Sequence, residues 1–102
     1  MSDSEIVPLN DGTNYGKVAE RVKRLAREGG VRLSRHAQER MKERRFDMND
    51  VLSIIKTGRI TSHSCPNDAW SWKMEGTAVD GERAACVIAI QDHVVIVTIM
   101  KA

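Results

Sequence analysis

The sequence predicts an α+β domain in which N-terminal helices pack on a four-stranded antiparallel β-sheet. Three observations carry this reading. Apolar residues recur at helical spacing up to Gly58, the period falls to two after it, and turn signals cut the remainder into four extended runs.

Residues 1–12 read as a flexible lead, polar and broken by Pro8 and the turn signal Asn10-Asp11-Gly12, so the domain proper is expected over 13–102. Thr13 or Asn14 can cap a first helix whose apolar stripe is Val18, Val22, Leu25 and Ala26, and Gly29-Gly30 ends it. Lys17, Arg21 and Arg24 share another face of that helix. Val31-Arg32-Leu33 is short and extended. Ser34 can cap a second helix running to Arg44, with Ala37 and Met41 inward and His36, Arg40 and Arg44 along a different face. Asp47 caps a third helix, with Asp50 three residues on as a capping-box partner. Its buried stripe reads as Met48, Val51, Leu52 and Ile55, and Gly58 stands at its C-terminal cap.

Arg59 to Cys65 is the first strand of the expected sheet, closed by Pro66-Asn67-Asp68. In the second, Trp70, Trp72 and Met74 point one way and Ser71, Lys73 and Glu75 the other. Gly76 and Asp80-Gly81 bracket a looser turn, and Glu82 to Gln91 is the third strand. Asp92-His93 turns into Val94–Lys101, apolar on both faces and so expected inside the sheet with helices over one side.

The chain is short enough for one domain and holds only four aromatic residues, Tyr15, Phe46, Trp70 and Trp72, which argues against an aromatic base-stacking platform. No apolar run reaches the roughly 20 residues that span a bilayer, and no signal peptide is evident. Cys65 and Cys86 make no disulfide framework, so a cytoplasmic protein with free thiols and no membrane association is expected. His63, Cys65, Cys86 and His93 lack a second ligand pair at recognised spacing, so no metal and no cofactor is expected. The net charge of +2 is unevenly spread: residues 17–45 hold eleven Lys or Arg against four Glu, a block of +7 that can attract RNA or DNA or simply form solvated helix faces.

Within that block, a histidine in a helix's first turn can serve as a general base, and the guanidinium groups of Arg40 and Arg44, one and two turns below His36, suit phosphate oxygens. Each has a plainer alternative: His36 can cap the helix or pack on the sheet, and the arginines can pair with Glu39 and Glu43. Lys73 faces the solvent side of the sheet if the tryptophans pack inward, and Thr98 sits in mid-strand.

The stretch Ser34-Arg35-His36-Ala37-Gln38-Glu39-Arg40-Met41-Lys42-Glu43-Arg44 resembles domain-of-unknown-function family 4258, a bacterial family whose hallmark is Ser-x-His-Ala, then Arg-Met, then Arg. Asp50-Val51, Gly58, Gly76, Asp80-Gly81-Glu82-Arg83 and Val95-Ile96-Val97-Thr98 continue the likeness over about residues 31–101. Arg45-Phe46 departs from it, standing where the family commonly has Gly and an aliphatic residue, and an extra residue precedes Arg83. The family has been likened to the group of small folds that includes barnase, the colicin ribonucleases and RelE toxins. The resemblance thus implies a metal-independent RNA-cleaving toxin of a toxin–antitoxin or related conflict system. His36 would be its acid/base group and Arg40 and Arg44 its phosphate clamps, with Lys73, Arg83 and Thr98 as sheet-borne contacts and Arg21 and Arg24 on the added basic helix. It also implies RNA and a cognate antitoxin or immunity-type protein as partners. The alternative is a non-catalytic module that binds nucleic acid or protein with the same basic face.

Overall fold

In the computed structural model, which describes residues 12–102, Asn14 opens helix α1 (Tyr15–Arg27) by accepting the Lys17 N–H at 3.2 Å. The helix closes as the glycine pair predicts. Gly29 takes a left-handed φ of +79° and the amides of Gly29 and Gly30 return to the carbonyls of Ala26 and Leu25 at 3.1 and 2.8 Å. Of the lead expected over 1–12, only Gly12 lies among the described residues; it is buried and accepts the Trp72 indole N–H at 2.8 Å.

Ser34 starts α2 (Arg35–Arg44) with a hydroxyl that has two tasks. It accepts the Ala37 N–H at 3.0 Å and donates to the Val97 carbonyl at 2.9 Å, fixing the helix start to the sheet. The helix ends at Arg45 in a left-handed conformation (φ 61°), a backbone position that favours glycine. Asp47 and Asp50 form the expected capping box of α3 (Met48–Thr57). This helix corrects the sequence reading of its stripe. Val51, Ile54 and Ile55 are buried, whereas Met48 and Leu52 are more than a third exposed, because the apolar arc is wider than the surface available to cover it.

The sheet is also corrected, from four antiparallel strands to five in mixed orientation. β1 (Val31–Leu33), β2 (Arg59–Ser64), β3 (Ser71–Thr77), β4 (Arg83–Ile90) and β5 (Val94–Lys101) are ordered β1-β5-β4-β3-β2. The expected meander is present as β2 to β5, and β1 adds to it by pairing parallel with β5, Val31 opposite Val94 and Leu33 opposite Ile96. Three residues show no period, so nothing in the sequence marks them as a ladder partner. What recruits them is β5, apolar on both faces and so bordered by strands on both edges.

The three helices of the described residues all cover one face. Val22, Ala37, Val51, Ile54 and Ile55 bury against Met74, Cys86, Ile88, Ile96 and Ile99 in a single core. Burial pushes the Cys86 thiol up from 9.0 to about 12. Helix α3 lies closest to the sheet. The Ser53 hydroxyl donates to the Thr77 carbonyl at 2.7 Å, Thr57 Oγ1 accepts the Thr77 N–H at 2.9 Å, and Asp50 accepts the Val79 N–H at 3.0 Å. Gly76, read from the sequence as a turn residue, sits inside β3 beneath this helix; a Cβ there would lie 2.5 Å from the Ile54 carbonyl oxygen and 2.8 Å from Thr57 Oγ1. The turn itself is Ala78 to Glu82, with Gly81 at φ +89°.

Two outcomes are expected. Gly76→Ala should cost about 1–3 kcal/mol, since the obstacle is backbone that has no room to give, read as a lower urea midpoint. In native protein at pH 8 a thiol reagent should modify Cys65 alone, and Cys86 only on unfolding. Because the folded thiol keeps its proton to about 12 and the unfolded one loses it near 9.0, stability is full below pH 9 and falls as pH rises above it.

Candidate functional site

Helix α2 buries Ala37 and Met41, so the positions one residue earlier, His36, Arg40 and Arg44, run together down its flank about 100° around. The structure thus brings the three predicted residues onto one line. His36 is exposed and makes no hydrogen bond among the described residues. Arg40 Nη1 lies 3.4 Å from Glu43 Oε1, a solvent-screened pair one turn along, and Arg44 is exposed with no ion pair among the described residues.

Lys73, Arg83 and Thr98 lie on the other side of the sheet. Register sets Ser62, Lys73, Val87 and Thr98 in one cross-strand row, and Val87 is out of phase with the buried Cys86 and Ile88. These residues therefore face away from the helices and from His36. Lys73 and Arg83 meet instead on Glu75, whose carboxylate lies 4.0 Å from Lys73 Nζ and 3.5 Å from Arg83 Nη2 and accepts the Thr61 hydroxyl at 3.0 Å. Glu75 was not singled out by sequence reasoning. The strand alternation that puts it on the same face as Lys73 was the available signal.

Arg21 and Arg24 line a third place. At the end of the sheet where β3 begins and β4 finishes, beneath α1, a cleft of about 660 Å³ has Lys17, Arg21 and Arg24 on one wall and Trp70, Trp72 and Ile90 on the other. The aromatic wall is part of a continuous row. The Tyr15 hydroxyl and His63 Nδ1 are hydrogen-bonded at 2.7 Å, His63 stacks on Trp70 with ring centres 5.4 Å apart, and Trp70 stacks on Trp72 at 5.8 Å. The few aromatics of the chain are thus concentrated rather than scattered. Sequence reasoning missed this because Tyr15 and His63 stand 48 residues apart.

Among the described residues no group of three or more His, Cys, Asp or Glu side chains is placed to hold a metal ion, and no helix is long and apolar enough to cross a membrane. A model of the family described as Domain of unknown function (DUF4258) matches residues 33–101. No curated protein and no solved structure matches the chain.

The Glu75 cluster generates a test of its own. Glu75→Gln keeps the side chain's shape and removes the charge that neutralises Lys73 and Arg83. Both ion pairs are solvent-accessible, so urea unfolding should show a change below about 1 kcal/mol. A loss of several kcal/mol would show instead that this carboxylate organises the open face of the sheet.

Proposed function

The chain belongs to the family described as Domain of unknown function (DUF4258), and we propose that it acts on RNA as a metal-independent ribonuclease of toxin type, working through the flank of α2. One observation carries the proposal: His36 does neither of the structural jobs open to it. Ser34 caps the helix and Ala37 and Met41 pack it, while the imidazole is exposed and unbonded among the described residues. On this reading His36 takes the proton of an RNA 2′-hydroxyl as its oxygen attacks the adjacent phosphorus. The bond to the 5′-oxygen breaks, that oxygen takes a proton from water, and a cyclic phosphate is left. Arg40 and Arg44, below His36, meet the phosphate oxygens. Support by analogy comes from helices on one face of an antiparallel meander, the arrangement of the barnase, colicin ribonuclease and RelE group; architecture by itself does not make an enzyme. A cognate inhibitor protein, antitoxin or immunity-type, would cover the same flank.

A second reading is favoured by a different observation. Lys73, Arg83 and Thr98 lie on the far side of the sheet, so no second proton donor among the predicted residues stands near His36. That arrangement suits a module that binds RNA without cutting it.

Cleavage of a labelled RNA in chelator-containing buffer separates the two. Removing one acid/base group typically lowers a rate about a hundred- to ten-thousand-fold, so His36→Ala should abolish cleavage, together with any growth arrest on expression, while RNA affinity and circular dichroism stay unchanged. Wild-type protein that cuts no RNA rejects the enzyme. A His36→Ala protein that still cuts moves the chemistry elsewhere, to His63 or His93 first.

A further inference from the structure

The family match begins at residue 33, so α1 (Tyr15–Arg27) lies outside it, whereas Trp70, Trp72 and Ile90 lie within it. The cleft between them therefore joins a helix outside the matched stretch to residues within it. That helix brings three cations to one wall: Lys17, Arg21 and Arg24, exposed, with no ion pair or side-chain hydrogen bond among the described residues. The carboxylates of Glu20 and Asp68 and the amide of Gln91 also line it, so the three cations outnumber the acids by one.

The opposite wall is built to stay in place. Trp72 is almost fully buried and its indole N–H is used by the Gly12 carbonyl at 2.8 Å. Gly12 in turn lies so close to Trp70 that an added Cβ would come within 2.7 Å of its ring. Behind Trp70, His63 is held by the Tyr15 hydroxyl. A rigid aromatic surface facing cations that are unpaired among the described residues is an arrangement that needs little ordering on binding. Its volume, about 660 Å³, falls in the range of small-ligand sites.

The geometry points to a binding site for single-stranded nucleic acid in this cleft, a base meeting the part of the half-buried Trp70 that His63, Trp72 and Gly12 leave uncovered and the phosphates running along Lys17, Arg21 and Arg24. Cations alone would take any polyanion, but an indole wall adds affinity only for a ligand with an exposed flat ring, and a duplex keeps its bases inside. The site is separate from α2 and shares with the proposed function only the class of ligand.

The chain's only two tryptophans both line the cleft, so intrinsic fluorescence reports on this place and not on the flank of α2. The probe is a short 2′-O-methyl oligouridine, which has no free 2′-hydroxyl and stays uncut. Titration at low salt should quench the tryptophans saturably. Three phosphate contacts at about 0.7 each give a log–log salt slope near −2 for a single strand. The exposed double variant Arg21→Ala/Arg24→Ala should bind about tenfold more weakly with a slope shallower by about 1.4, and His36→Ala should quench as wild type does. No quenching at low salt, the same response to inorganic phosphate or duplex RNA, or an unaltered double variant would each overturn the site. Binding seen by anisotropy of a labelled probe with the tryptophans unmoved would place the nucleic acid on α2 and likewise overturn it. Quenching that persists in a wild-type protein unable to cut RNA upholds the cleft and removes only the ribonuclease.

Discussion

An aliphatic sheet has to be covered, and here the covering comes from one side. Three helices meet β3, β4 and β5 through a single core, and the small side chains at the contacts set how closely they approach. Gly58 and Gly76 show the tightest case. Each faces the carbonyl of Ile54, and α3 can sit where it does only because neither has a Cβ. Once α3 is fixed, Ser53, Thr57 and Asp50 stitch it to β3 and the turn that follows. Helix α2 is set by the other end of the same logic, through the hydroxyl of Ser34 on the Val97 carbonyl.

One-sided covering also decides which charged residues can cooperate. The alternation of β3 sends Trp72 and Met74 to the core and Lys73 and Glu75 to the opposite surface. No side chain on that surface can share a reacting atom with one on α2. The basic block of residues 17–45 is divided in the same way. Its first part faces the cleft from α1 and its second lies along α2, so a charge window that looks continuous in the sequence serves two separate surfaces.

The sequence was most legible where a residue's role depends on its near neighbours. Asn14, Ser34 and Asp47 cap the helices they were expected to cap, because capping needs only an oxygen three residues ahead of a free amide. The line of His36, Arg40 and Arg44 follows from helical geometry alone. What failed depended on distant chain. β1 is too short to have a period, Gly76 resembled a turn because its neighbour across the gap is a helix carbonyl, and Met48 and Leu52 looked buried because the pattern shows that an arc is apolar without showing how much of it is covered. The row from Tyr15 through His63 to Trp70 and Trp72 is a tertiary fact of the same kind, and scarcity of aromatics said nothing about their grouping.

Helix α1 lies outside the stretch that matches the family and α2 lies inside it. The residues of α2 belong to the stretch that matches the family, as do the tryptophans, and the three cleft cations do not. The flank of α2 therefore lies wholly within the matched stretch, while the cleft needs α1 as well. The two are joined physically through β1: Gly30 closes α1 and its carbonyl accepts the Val94 amide at 2.7 Å, and Ser34, four residues on, opens α2 with its amide on the Ile96 carbonyl at 3.0 Å. A helix anchored so directly to the strand that also anchors α2 is held at a fixed offset from it.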